Sequence, residues 1–224
     1  MSDTWLRFAG RLPAILSFLL TGAVVTVEVT AGAFVASVLL GIVFAGFRTS
    51  RSRLLRGIAH VYVEVFRAVP VLTQLFIVYF GLGAVGIRLS PLPAAVVGFG
   101  LNGGAYLTEV FRAGIEAVHR GQSEAAFSIG MTRLMALRVI VLPQAVRIVI
   151  PALANFAIGL LKDTSLASAV AAPELAFNAN MLVKETYMST QIYLAVAVIY
   201  LGLSLPLSAL SRALERRGAR GSRA

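Results

Sequence analysis

The chain is 224 residues long, 58% hydrophobic and only 13% charged, with a mean hydropathy of +0.84. A globular domain carries about 25% charged residues, so an ordinary soluble domain, a disordered chain and a polar nucleic-acid binder are excluded. The net charge of +10 does not restore a nucleic-acid partner, because the arginines lie between and beyond the apolar runs. With no Cys there is no disulfide, no thiolate chemistry and no Cys-ligated metal.

Taken in chain order, residues 1–10 are short and polar, and no cleavable signal is expected. Residues 5–19 read as an amphipathic lead-in suited to the membrane interface. Five apolar runs follow, at about 20–46, 68–87, 92–111, 145–161 and 190–210. Each is close to the length a helix needs to cross ~30 Å of hydrocarbon at ~1.5 Å per residue. The fourth either stops at Leu161 or continues through SLASAVAA. The expectation is one all-α, multi-pass membrane domain over 1–224, in contact with lipid.

The basic residues set its orientation. Fifteen arginines fall between runs one and two, between runs three and four, and after run five; only five Lys and Arg fall on the other side. Lys and Arg concentrate in cytoplasmic segments. Five spans with the N-terminus outside and the C-terminus inside follow, with 48–60, 112–140 and 211–224 cytoplasmic.

The connection 112–144 is long for a membrane loop. Its middle is helical in pattern, with Gly130 as a break, and Glu124, Ala125, Ala126, Gly130, Ile140, Leu142 and Pro143 give the spacing E-A-A-x3-G-x9-I-x-L-P. Two short helices joined at a glycine make a knob, since Gly takes a turn that a side chain obstructs. Small Ala125 and Ala126 let a partner surface approach, and Glu124 can serve a helix N-terminus or pair with a partner cation. Pro143 is expected to end the second helix and aim the chain back into the membrane. The spacing alone leaves open a hairpin that packs on its own chain.

The same residues resemble the EAA loop of bacterial ABC-importer permeases. Tyr62-Val63-Glu64-Val65-Phe66-Arg67-Ala68-Val69-Pro70 with Gln74, Ala105-Tyr106, Glu109, Arg112, Gly114-Ile115 and Gly121-Gln122 narrow the resemblance to the polar-amino-acid permeases of histidine, glutamine and arginine type. Leu142-Pro143-Gln144-Ala145, Arg147, Pro151, Asn155 and Lys162-Asp163-Thr164-Ser165-Leu166 extend it, over about 20–215 in all. Ala68-Val69 before Pro70 and Glu28 depart from the usual pattern. The resemblance implies a type I ABC-importer (MetI-like) permease fold in the bacterial inner membrane, with 112–144 as the ATPase-docking loop. It implies two ATPase subunits, a second permease that is identical or paralogous, and an extracytoplasmic solute-binding protein. It also implies alternating access for a polar amino acid or similar small solute. ATP and Mg would be bound by the ATPase, and this chain would hold no cofactor.

Other patterns carry less. Gly81-Leu-Gly83-Ala-Val-Gly86 leads to Ser90-Pro91-Leu92-Pro93 rather than to a strand–turn–helix unit, so a dinucleotide site is excluded. No Gly-Lys pair occurs, hence no P-loop. His60 and His119 are isolated, and neither a catalytic set nor a metal cluster is expected. Gly100 and Gly104 permit a close helix contact, within the chain or between copies. Acids inside a span are costly and therefore candidates for function. Asn102, Tyr106 and Glu109 share one helix face, and with Lys162, Asp163, Thr164 and Ser165 they are the expected solute path. The alternative for Glu109 is an ion pair with Arg112, and Asp163 would cap a second helical segment if run four continues. Glu28 lies toward the outer end of run one. The rival functions are an ion-coupled secondary transporter, which normally shows an inverted repeat, and a membrane-embedded enzyme.

Overall fold

A backbone in hydrocarbon has no water to bond, so each apolar run must satisfy its own N–H and C=O groups as a helix. The computed structural model follows this rule, and among its described residues there is no strand. It describes residues 2–220, and the side chains of residues 3–213. The helices are α1 (Ser2–Arg48), α2 (Arg53–Ala68), α3 (Val71–Ala84), α4 (Pro91–Glu116), α5 (Arg120–Ser128), α6 (Arg133–Val170), α7 (Leu175–Thr186) and α8 (Ser189–Arg220). By length and composition α1, α6 and residues 189–213 of α8 can each cross a membrane, and α2 with α3 forms a fourth candidate bent by 105°. Arg216, Arg217, Arg220 and Arg223, part of the basic tail, have side chains outside the described residues.

Local chemistry sets the helix starts. The Ser52 hydroxyl accepts from Leu55 N–H, His119 Nδ1 from Gly121 N–H, Thr132 Oγ1 from Met135 N–H, and the Glu174 carboxylate from Ala176 and Phe177 N–H. Each satisfies donors that a helix start leaves free. His119, isolated in the sequence, is thus a helix cap.

Three expectations change. The lead-in 5–19 is continuous with the first run, because Ile15 and Leu19 bury against α7 and α8 beside Leu175, Ala179 and Ile192. Pro143 does not end a helix. The chain widens to a π-turn over Leu137–Val141, in which Leu142 N–H reaches back to Leu137 O. Pro143 sits at the next helical start, where the missing N–H costs least. The fourth run does not stop at Leu161 and is not broken there either. It tightens into a 3₁₀ turn over Thr164–Val170, and the Asp163 side chain makes no cap bond.

The packing is organised by small residues. A Cβ on Gly100 would stand 2.8 Å from Ala36 Cβ, one on Gly104 2.7 Å from Leu40 Cβ, and one on Gly41 2.8 Å from Leu107 Cβ. Gly103 lies against Ser37 and Phe156. The Gly100/Gly104 pair therefore seats α4 on α1 of the same chain. Val96 meets Gly32, Gly100 meets Ala36, Gly104 meets Leu40 and Glu109 meets Arg48, so α1 and α4 run parallel. On α6, Val149 meets Gly114 and Phe156 meets Gly103, so α6 runs against them. Val29, Leu75, Phe99 and Leu160 close the core where α1, α3, α4 and α6 converge.

Gly100→Leu should force α1 and α4 apart and lower the thermal midpoint in detergent by roughly 4 °C or more. Gly57→Ala, in the interior of α2 with nothing within 4 Å of its Cβ position, should leave the midpoint equal or raise it, since Ala is the better helix former. Differential scanning fluorimetry of the two purified variants makes the comparison.

Candidate functional site: a hairpin at the arginine-rich end and the polar groups above it

The hairpin between α4 and α6 consists of α5, a turn at Gly130, and the start of α6. Gly130 has φ +83° with no atom near its Cβ position, so the left-handed backbone and not crowding selects glycine. Gly130 N–H donates to Phe127 O and Met131 N–H to Ala126 O, the two bonds of a Schellman stop. Glu124 and Ala125 are exposed, whereas Ala126 is buried against the chain itself. Ile140 is half-buried, and Leu142 and Pro143 are exposed. Gln144 ties the two arms, donating to Ile140 O at 2.8 Å and to Gln122 Oε1 at 3.4 Å.

The exposed face also carries Phe127, Ile129 and Leu134, the second of them 74% exposed. They were not picked out from the sequence, where the spacing of Glu124, Ala125, Ala126 and Gly130 marked the loop and the apolar residues among them gave no signal of exposure. Beneath the hairpin a cavity of about 1270 Å³ opens between the ends of α1, α4, α5 and α6. Ile42, Phe111 and Leu142 form apolar walls, and Glu116, Arg120 and Glu124 stand among its polar lining.

The polar stripe of α4 divides. Asn102 Nδ2 donates to Phe66 O at 2.8 Å. Tyr106 is about half-exposed and stacks on Phe156 with centroids 5.6 Å apart. Glu109 is held on both oxygens: Arg48 reaches Oε1 at 3.0 Å and Arg112 reaches Oε2 at 2.8 Å. Arg112 continues to Glu116, and Arg48 stands 3.3 Å from His60 Nδ1. One carboxylate thus joins the last residue of α1 to the last turns of α4. On α6, Lys162 and Asp163 are exposed, the buried Thr164 hydroxyl donates to Leu161 O, and the Ser165 hydroxyl to Lys162 O. The distance in sequence hid the Arg48–Glu109 pair, which only the parallel packing of α1 and α4 creates.

Glu28 is exposed on α1. Among the described residues no group of three or more His, Cys, Asp or Glu is placed to hold a metal.

Removing the shared carboxylate leaves two guanidinium groups facing each other in a half-buried position. Glu109→Gln should lower the thermal midpoint in detergent by roughly 3 °C or more. Glu116→Gln, at a carboxylate whose side chain is 60% exposed, should shift it much less. Melting curves of both variants in low salt check the order.

Residues 37–220 match the family described as binding-protein-dependent transport system inner membrane component. The chain is 40% identical over 197 residues to the L-cystine transport system permease protein TcyB of Bacillus subtilis (strain 168), covering 88% of this chain and 84% of that one. It is 38% identical over 185 residues to the probable glutamine ABC transporter permease protein GlnM of the same organism, covering 83% and 86%. Its fold superposes on a crystal structure of an amino acid ABC transporter with histidines at a TM-score of 0.88 and 34% identity, covering 95% and 97%. An inward-facing structure of the MetNI methionine ABC transporter shares the fold at a TM-score of 0.69 and 19% identity, covering 90% and 98%. The fold is that of a MetI-like type I importer permease.

Proposed function

This chain belongs to the binding-protein-dependent transport system inner membrane components, multi-pass permeases of ABC importers, and we propose that within that family it moves a polar amino acid or similar small solute by alternating access. The amino-acid relatives support that solute class. Two such permeases, identical or paralogous, work with two ATPases and an extracytoplasmic solute-binding protein. ATP and Mg belong to the ATPases, so the chain itself performs no covalent chemistry.

The observation that carries the reading is the hairpin. It projects from the ends of α4 and α6 with an exposed acid, Glu124, beside uncovered Ala125, Phe127 and Ile129. Such a face suits a groove on an ATPase, with Gly130 fixing the angle between its arms and Ile140, Leu142 and Pro143 at its root. The packing supports alternate passages as far as α1 and α4 run one way and α6 the other, and five passages with the N-terminus outside complete the proposed topology. The arginine excess then falls inside.

The proposed solute path runs past Asn102, Tyr106 and Glu109 on α4 and Lys162–Ser165 on α6. A zwitterion entering it loses water and needs both acceptors and donors. Exposed Asp163 and Lys162 offer one of each, and the Tyr106–Phe156 stack gives an apolar wall. Glu109, with its two arginines, closes the inner end. An ion-coupled secondary transporter is the competing reading, and it predicts uptake that needs no ATPase.

Two measurements test the proposal. Affinity purification in mild detergent should bring down an ABC ATPase, and Glu124→Lys should cut its recovery several-fold at unchanged permease yield. Gly130→Val places a β-branched residue in the left-handed region at a cost of about 1–2 kcal/mol. In proteoliposomes it should lower ATP-driven uptake about tenfold or more. Wild-type uptake with a normal complex yield would remove the docking role. For the path, Asp163→Asn should raise the solute concentration for half-maximal uptake about tenfold while leaving basal ATP hydrolysis unchanged. Unchanged uptake would place the path elsewhere.

A further inference from the structure

The sharpest irregularity in the bundle lies between α2 and α3. Pro70 has no N–H, and it disfavours helix at Val69; the two helices meet there at 105°. A bend of this size frees backbone carbonyls inside the bundle, where each needs a donor. Two amide side chains provide them. Gln74 Nε2 donates to Phe66 O at 2.8 Å and to Val69 O at 2.7 Å, and Asn102 Nδ2 donates to Phe66 O at 2.8 Å. The direction of the Gln74 amide is fixed by this geometry, since the reverse would press its oxygen against two carbonyl oxygens. Gln74 is 5% exposed, and its Oε1 has no donor among the described residues.

The two limbs are held differently. α2 is tied to α4 by the Tyr62 hydroxyl, which donates to Leu101 O at 2.7 Å, and by Asn102. Tyr62 also stacks on Phe44 of α1, centroids 3.9 Å apart. Across the bend itself, the side-chain hydrogen bonds among the described residues are those of Gln74 alone. On the far side, Leu75 seats α3 against Gly98 of α4. α4 in turn ends at the hairpin, whose first helix starts at Arg120.

We propose that Gln74, with Asn102, is a positioning pair that locks the angle of this broken passage, so that a displacement of the hairpin reaches α3 as a tilt rather than being absorbed at Pro70. Gln74 touches no solute in this role; it acts by keeping α2 and α3 one body. The reading rests on ATP-driven transport by the complex for its consequence, and on the bend alone for its geometry. It explains why the bend carries two amide side chains when one donor per carbonyl would suffice. It also explains the unused oxygen: Gln74 is placed for its N–H groups, at the cost of a buried acceptor.

The experiment uses the assembled complex in proteoliposomes with the solute-binding protein that copurifies. Gln74→Leu removes both donors at similar volume and leaves every residue of the proposed solute path in place. It should lower solute moved per ATP hydrolysed about tenfold, the scale expected when one or two net hydrogen bonds stop favouring one arrangement. Hydrolysis itself should stay within about twofold of the unsubstituted complex. In parallel, spin labels on Gly57→Cys and Phe80→Cys, one on each limb of this Cys-free chain, report the angle by pulsed dipolar spectroscopy, with labelled chain diluted in unlabelled chain. A single narrow distance that broadens in Gln74→Leu supports the lock. A distance distribution and an uptake-to-hydrolysis ratio both unchanged in the folded variants overturn it. Should Gln74→Leu not assemble, Gln74→Met keeps the unbranched shape without any donor and decides the question by the same two readouts. The distance arm requires no transport, so failure of the wild-type complex to import sinks the transport reading while the lock is still judged.

Discussion

The fold depends on how closely α1 and α4 approach. Between helices in hydrocarbon there is no hydrophobic drive, because lipid tails are as apolar as leucine. Attraction must come from dispersion over a long, close contact and from a few polar links. Gly41, Gly100, Gly103 and Gly104 supply the closeness, each leaving no room for a Cβ. Ser37 adds a hydroxyl that donates to Ala33 O within its own helix while lying against Gly103. Once α4 is seated, its outer faces become the surface on which α2, α3 and α6 pack. Phe99, Leu107 and Thr108 are consequently almost wholly buried.

The same approach assembles the polar groups. Because α1 and α4 run parallel, the last residue of one meets the last turns of the other, and Arg48 closes on Glu109. Asn102 and Tyr62 then fasten α2 to α4. A second polar knot lies among α1, α7 and α8. There the fully buried Glu174 carboxylate accepts from two N–H groups of α7 and reaches Thr26 and Tyr200. Asn178 beside it donates to Phe18 O and Thr21. Each knot joins segments far apart in the chain, and each satisfies groups that would otherwise be costly away from water.

The importer fold was legible in the sequence to the extent that its physics is local. Runs of twenty apolar residues state their own secondary structure, and Gly130 states a left-handed turn three residues after Phe127. What proline would do was less legible. Pro143 and Pro70 carry the same missing N–H, yet one sits smoothly inside a helical rod and the other marks a 105° bend. The difference lies in the neighbours: a π-turn absorbs the first, while Gln74 and Asn102 cap the carbonyls freed at the second. Likewise Ala125 and Ala126 are equal in the sequence, and only packing turns one outward and buries the other.

By itself, then, the sequence determined that the chain is a set of membrane helices, which end is basic, and where the exposed hairpin turns. These follow from composition, charge placement and backbone preference, all of which act over a few residues. The tertiary structure decided which polar groups are spent on the fold and which remain free. Glu109, read as a solute contact or an ion pair, holds two arginines because α1 brings Arg48 to it. Asp163, read as part of the solute path and as a cap if the fourth run continued, keeps an exposed carboxylate with no cap bond because α6 tightens without a break. Glu174 stood unremarked among the acids, and Gln74 was only one residue of a resemblance, until long-range packing buried them. A side chain's hydrogen-bonding type is written in the sequence, but its partner is chosen by segments tens of residues away.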